Sequence, residues 1–272
     1  MAITTVLLFG KESLPMHMVR TVVCFYCGQS VFFIVVLNIV GDLFEAFMVH
    51  HKDFMGMSMR INDLSNSFET PLKALISKHK WHQDVSYRSH WQLPALVDRG
   101  GVWDYEVLAE ATCHWEHRFS AKWFMIVHSP DNFVIPNKTN TSLAELLSKI
   151  SNDNISSIIV PIMQACSLHT PRRGNNILSQ YGRVGASLAY GDLRHTPIGN
   201  PRHIHYSWIH FNSGRRKNNF IEIDFTQASK MVQTMHAMAL TRPEYDGRYG
   251  CAVHEALAPL AARLDQVMAY AH

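Results

Sequence analysis

The residues of this chain with the greatest capacity for chemistry lie between Arg194 and Lys217. Four of the 17 histidines of this histidine-rich chain fall in that stretch, and arginines lie at both of its ends. They are His195, His203, His205 and His210, with Arg194, Arg202, Arg215 and Arg216. A neutral imidazole exchanges protons near physiological pH, and a guanidinium binds a phosphate or carboxylate through two parallel hydrogen bonds. The stretch therefore predicts acid–base chemistry on an anionic molecule.

Residues 203–211 (HIHYSWIHF) predict a β-strand that carries several of these histidines. Because side chains alternate along a strand, His203 and His205 share one face about 7 Å apart, and His210 lies on the other. This H-x-H spacing occurs in many metal sites. It is equally the spacing of an acid–base pair or of a structural pair, so metal binding stays an alternative.

Residues 220–225 (FIEIDF) predict a second strand after a glycine-containing turn. Strand alternation places Glu222 and Asp224 on one face. If the two strands pair as a β-hairpin, either carboxylate stands opposite the histidines. It would there act as a third metal ligand or orient an imidazole.

Three apolar runs upstream each lead into a turn that carries histidine, arginine or aspartate. The runs end at Val127, Met163 and Tyr190. In open α/β sheets, ligands bind at the carboxyl ends of the strands, so these turns are expected to form the other walls of the site. The predicted catalytic residues are His169, Asp192, His195, His203 and His205, and the predicted substrate-binding residues are His128, Arg172, Arg173, Arg194 and Arg202.

The elements that would position this site begin with a predicted strand–helix–strand unit at residues 3–9, 14–26 and 30–39. Both strands are apolar throughout, as a buried parallel sheet requires. The predicted fold class is therefore α/β, with a mainly parallel sheet flanked by helices, a C-terminal β-hairpin and closing helices. The turn at Gly10 lacks the G-x-G-x-x-G pattern, so a dinucleotide has little support and the cofactor stays unknown.

Residues 21–41 admit a second interpretation, because they contain no charged side chain and are long enough to span a bilayer. The turn signal Gly28-Gln29-Ser30 interrupts the middle of this segment. The sequence therefore favours two soluble elements over a membrane span, and residues 21–41 are the only candidate span.

Further helices are predicted from apolar side chains at three- and four-residue spacing. They cover residues 42–59, 72–79, 104–119, 143–150, 228–240 and 251–270. Ser142 is expected to cap the fourth of them. His114 and His117 share one helical face at a spacing that metal sites use. The polar connector at residues 135–142 suggests two α/β regions, 1–136 and 137–272, or one continuous domain.

Composition excludes some classes of protein. Hydrophobic residues make up 47% and charged residues 17%, which argues against intrinsic disorder. The formal charge of +3 is too small to imply a nucleic-acid or membrane partner by itself. Five scattered cysteines do not form a disulfide framework, so a reducing, cytoplasmic location is predicted.

The leading prediction is an enzyme, a transferase or hydrolase, that acts on a phosphate- or carboxylate-bearing small molecule. Histidines would supply acid–base catalysis and arginines would bind the anion. One alternative is a metal-dependent enzyme with a site at His203 and His205. The other is a non-enzymatic nucleic-acid or protein-binding module that uses the basic, aromatic stretch at residues 78–102. The sequence does not indicate an oligomeric state.

Overall fold

The computed structural model describes residues 20–27, 30–37, 41–62, 69–82, 85–88, 114–127, 132–138, 140–167, 181–185, 195–204, 220–236, 251–253 and 257–270. Predictions for other residues, such as the strand at 3–9, lie outside this part of the chain. The strands are β1 Arg20–Cys27, β2 Ser30–Leu37, β3 Ser58–Asn62, β4 Val85–Arg88, β5 Trp123–Val127, β6 Asn132–Pro136, β7 Ile155–Ser167, β8 Tyr181–Gly185, β9 His195–Gly199, β10 Ile221–Ile223, β11 Val232–His236 and β12 Cys251–Val253. The helices are α1 Gly41–Val49, α2 Glu69–Lys78, α3 Leu143–Ser148, α4 Phe225–Ala228 and α5 Leu257–Tyr270, and a π-helical segment, His50–Phe54, follows α1.

The strands form a mixed sheet, so the α/β class holds but the mainly parallel sheet that the sequence predicted is wrong. Its main path runs β12-β8-β7-β9-β5-β2-β1-β3-β4, with β10, β11 and β6 joined to it through β7. Among the described strands, seven of the eleven pairings are antiparallel and four are parallel. The 13-residue β7 pairs with four other strands.

The opening βαβ prediction fails at its helix, because residues 20–27 form β1. All eight residues of β1 pair antiparallel with β2, from Arg20 opposite Leu37 to Cys27 opposite Ser30. Only two residues separate the strands, and a parallel pair needs a crossover of a dozen or more. Among the helices described, none combines the length and apolar character needed to cross a membrane.

Two other segments form strands that the sequence did not predict. The predicted helix at 228–240 is replaced by β11, which lies between β6 and β7. His195–Gly199, which precede the strand predicted at residues 203–211, form β9 between β5 and β7. Both segments are short, and each becomes a strand by pairing with strands that are far away in the sequence.

Most of the predicted C-terminal β-hairpin, residues 205–219, lies outside the described residues and stays a prediction. His203 lies in a turn directly after β9, where the sequence predicted a strand. The predicted strand at 220–225 is confirmed only as the short β10, and β10 pairs in parallel with β7. His205 lies outside the described residues, so the shared face of His203 and His205 stays a prediction.

Other predictions are confirmed. β2, β5, β7, α2 and α5 lie where apolar patterns indicated, although Cys251–Val253 form β12 ahead of α5. The side chain of Ser142 accepts a hydrogen bond from the Glu145 amide at 3.1 Å and caps α3. The cysteine prediction is less successful, because Cys166 is disulfide-bonded.

The core is built around α1, whose residues from Phe44 to Val49 are all buried. Five of these six residues are apolar, which is typical of a helix in the interior of a protein, and the sixth is Glu45. Phe44, Phe47, Phe133 and Trp123 are among the largest fully buried side chains. They belong to a core that also includes residues of β7, β9 and α5.

Candidate functional site

Only part of the predicted site lies in the described residues. The side chains of Arg202 and His203 are described, and His195 is placed as the first residue of β9, opposite Pro161 of β7. The remaining predicted residues lie outside the described part of the chain: His128, His169, Arg172, Arg173, Asp192, Arg194 and His205. Whether these residues converge on His203 therefore stays a prediction.

His203 has a defined orientation at the start of β7. Its Nδ1 atom lies 3.2 Å from the Ile155 carbonyl oxygen, and its ring stacks on Phe220 with centroids 4.0 Å apart. A carbonyl oxygen only accepts, so Nδ1 carries the proton and Nε2 carries the lone pair of the neutral ring. His203 is partly exposed. This tautomer lets Nε2 act as a base.

Arg202 is exposed beside His203 and is held by the helical turn at residues 114–120. Its Nη2 atom donates to the Phe119 carbonyl at 2.9 Å. The imidazole of His114 reaches back in the other direction and donates to the Pro201 carbonyl at 3.0 Å. These two contacts join the turn after β9 to a second segment far away in sequence, and they fix the position of the guanidinium.

A serine–carboxylate contact lies on the same end of β7. Ser157 is buried, and its hydroxyl donates to Glu222 Oε2 at 2.9 Å. Glu222 faces Ser157 because β10 pairs with β7 at that position. The sequence predicted that Glu222 or Asp224 would stand opposite the histidines of a hairpin. The described bond instead ties Glu222 to a serine hydroxyl.

The metal-site spacing of His114 and His117 stays a prediction, and in the structure each imidazole has a hydrogen-bond partner of its own. Both imidazoles are buried, but His117 Nδ1 lies 3.2 Å from the Ser120 hydroxyl, whereas His114 reaches Pro201. In the described residues, no group of three or more His, Cys, Asp or Glu side chains is arranged to hold a metal ion. The metal-dependent alternative at His203 and His205 involves a residue outside that set and stays untested.

Sequence reasoning missed a pair of buried histidines that bind one residue of β6. His50 Nε2 donates to the Val134 carbonyl at 2.8 Å. His51 Nδ1 donates to the Phe47 carbonyl at 2.9 Å, and its Nε2 accepts the Val134 amide at 3.3 Å. Burial lowers the pKa of His50 to about 4 and the pKa of His51 well below its ordinary value. Both rings are therefore neutral at physiological pH.

The same region contains a polar network between α1 and α2. Glu45 Oε1 lies 2.6 Å from His79 Nε2 and 2.9 Å from Lys78 Nζ. Burial alone would raise the pKa of Glu45, but hydrogen bonds from Lys78 and His79 hold it below its usual value. His79 also stacks on Trp81, with ring centroids 4.4 Å apart. Glu45 is thus an ionised carboxylate that joins the two helices.

Neither network has a sequence signature that could identify it in advance. His50 and His51 are adjacent, and adjacent helical side chains point about 100° apart. Their joint role follows only from the position of Val134, which is 83 residues from His51 in the chain. Glu45 and His79 are likewise 34 residues apart.

No protein-family model matches this chain, and no curated protein has a significantly similar sequence. The functional argument therefore depends on the arrangement of Arg202, His203 and their neighbours.

Proposed function

We propose that this protein is an enzyme that performs group transfer or hydrolysis on an anionic small molecule at the turn after β9. In this proposal His203 Nε2 takes up and returns a proton, and the Arg202 guanidinium binds the phosphate or carboxylate. The observation that carries it is the bond from His203 Nδ1 to the Ile155 carbonyl, at 3.2 Å, next to an exposed arginine.

The chemistry of the two side chains supports this division of roles. A backbone carbonyl that accepts from Nδ1 fixes the tautomer and the ring plane, and the Phe220 stack limits rotation further. Arg202 uses one N–H for the Phe119 carbonyl. A guanidinium has five N–H donors in a planar fork, so this bond leaves a geometry that suits an oxyanion.

The predicted arginines and histidines outside the described residues belong to this proposal in a supporting role. Arg172, Arg173 and Arg194 would add positive charge for the anion. His169, Asp192 and His205 would supply a second proton-transfer group, as both hydrolysis and group transfer require an acid and a base. They remain part of the proposed site on sequence grounds.

The experiment measures nitrophenol release from p-nitrophenyl phosphate and from mono-p-nitrophenyl succinate between pH 5 and 9. We expect turnover of at least one probe by the full chain. His203→Gln should lower kcat by about 10²–10⁴-fold, the usual contribution of a general base. Arg202→Met should mainly raise KM, because it removes the anion contact.

His82→Gln is the matched control, since His82 is an exposed histidine elsewhere in the described residues. It should leave both kinetic constants unchanged. Equal turnover in the wild-type protein and His203→Gln, or no turnover of either probe, would contradict the proposed function.

A further inference from the structure

Two large aromatic side chains stand in solvent next to the proposed site. Trp115 is 63% exposed and Phe119 is 80% exposed, on the helical turn that binds Arg202. The helical residues are 114–117, and Phe119 lies in the turn that follows them, four residues after Trp115. Large apolar side chains exposed together generally mark a binding surface.

Two arginines contact this turn. The guanidinium carbon of Arg118 lies 5.2 Å from the centroid of the Trp115 ring. Arg202 Nη2 is 2.9 Å from the carbonyl oxygen of Phe119. The acidic residue of this turn is Glu116, whose carboxylate lies 3.8 Å from the buried His117. One guanidinium therefore lies over the Trp115 ring, and a second is bound to the backbone of Phe119.

The combination of flat aromatic faces and guanidinium groups restricts the ligand. A phosphate or carboxylate alone would use Arg202 and leave Phe119 without a function. An apolar partner would use the rings and leave two arginines to be desolvated at a cost. A nucleobase stacks on aromatic rings and on guanidinium planes, and the phosphate linked to it binds arginine.

We propose that Trp115, Arg118, Phe119 and Arg202 form a nucleotide-binding surface, so that the anionic substrate of His203 is a nucleotide. The base would stack on Phe119 or Trp115, and the phosphate would bind Arg202 beside the imidazole of His203. This inference rests on the proposed function, because it uses the same anion contact. It adds that the part of the substrate away from the reacting group is a nucleobase.

The experiment compares three ligands by isothermal titration calorimetry on the full chain: AMP, adenosine and ribose 5-phosphate. We expect AMP to bind about 5- to 150-fold more tightly than ribose 5-phosphate, because stacking one base on an aromatic side chain has an effect of that size. Adenosine should bind more weakly than AMP, since it lacks the phosphate for Arg202.

Two variants separate the contributions of base and phosphate. Phe119→Leu should weaken AMP binding by about 5-fold or more and leave ribose 5-phosphate unchanged. Arg202→Met should weaken both ligands. Phe119 is mostly exposed, so its substitution is expected to preserve the fold, and circular dichroism would verify this.

The outcomes distinguish this inference from the proposed function beneath it. If ribose 5-phosphate binds as tightly as AMP and Phe119→Leu changes neither, the nucleotide assignment is wrong while the anion site stands. If Arg202→Met changes neither ligand and His203→Gln keeps normal turnover of the nitrophenyl probes, the proposed function itself fails.

A base linked to a phosphate also occurs in single-stranded nucleic acid, so one further arm uses dTMP and an eight-residue oligo-dT. Similar affinities for the two would assign the surface to free nucleotides. Much tighter oligo-dT binding that falls steeply with added salt would overturn the small-molecule assignment in favour of a nucleic-acid strand.

Discussion

The clamp that His50 and His51 form on Val134 replaces a neighbouring strand on one side of β6. Val134 lies in β6, opposite Thr234 of the neighbouring strand β11. In an antiparallel pair, a residue either exchanges both backbone bonds with its partner or neither. The amide and carbonyl of Val134 bind the two imidazoles, so the histidines satisfy polar groups that would otherwise be buried without partners.

Removing the acceptor on His51 should destabilise the protein. We expect His51→Leu to lower the free energy of unfolding by about 1–3 kcal/mol, because it leaves the buried Val134 amide without a partner. Urea denaturation followed by fluorescence would measure the change. The exposed His82→Leu should cost less than about 0.5 kcal/mol. Equal losses for the two variants would show that the clamp is not important for stability.

The same pair should make stability depend on pH. Both folded-state pKa values lie below the ordinary value of 6.5, to about 4 for His50, chiefly because burial disfavours the charged ring. The unfolded chain therefore binds more protons below pH 6.5. The free energy of unfolding is at its full value above that pH and falls as the pH drops towards 4, by up to about 2.7 kcal/mol per pH unit from the two rings.

The measurement is the urea midpoint at pH 7.5, 6.5, 5.5 and 4.5. His50→Gln keeps an N–H donor for the Val134 carbonyl but removes one titrating group, so it should reduce the pair's contribution to the slope by about half. His82→Gln is the matched control, because it removes one histidine outside the buried pair. A slope that His50→Gln leaves unchanged would mean that other groups cause the acid sensitivity.

At the scale of elements, α3 depends on its cap. It has six residues, and its first amides need an acceptor. Ser142→Ala should lower the free energy of unfolding by about 1 kcal/mol, and Ser142→Asp, which keeps an oxygen acceptor, should lower it by much less. Hydrogen exchange of residues 143–148 would locate the change. An equal loss in both variants would point away from capping.

Sequence patterns predicted elements well where the local signal was sufficient. Ser142 and the buried Leu143 and Leu147 specify α3, and the apolar run in β7 is too rich in β-branched residues for another assignment. β1 and β11 were predicted as helices because short apolar runs fit either period. Their strand conformation depends on partners such as β2 and β6, which no local window includes.

The candidate site was predictable in its residue types and not in its geometry. Arg202 and His203 were identified because histidine and arginine cluster in that stretch. The carbonyl of Ile155 that fixes the imidazole is 48 residues away, and the Phe119 carbonyl that binds Arg202 is 83 residues away. The exposure of Phe119 also depends on tertiary structure. No sequence pattern therefore predicted the proposed nucleotide-binding surface.

For the molecule as a whole, β9 is one of the strands that join the regions 1–136 and 137–272. Ile198 is fully buried and stands opposite both Met125 of β5 and Ile158 of β7, so one side chain joins strands from the two regions.

Ile198→Ala should lower the free energy of unfolding by about 2–5 kcal/mol, from lost burial and the cavity left behind. Because β9 pairs with both neighbours, native-state hydrogen exchange should accelerate in β5 and β7 by similar factors. Ile198→Val, which keeps the branched shape, should cost only about 1 kcal/mol and give the same pattern on a smaller scale. Faster exchange in β7 with no change in β5 would mean that the two regions are separate cooperative units despite the shared sheet.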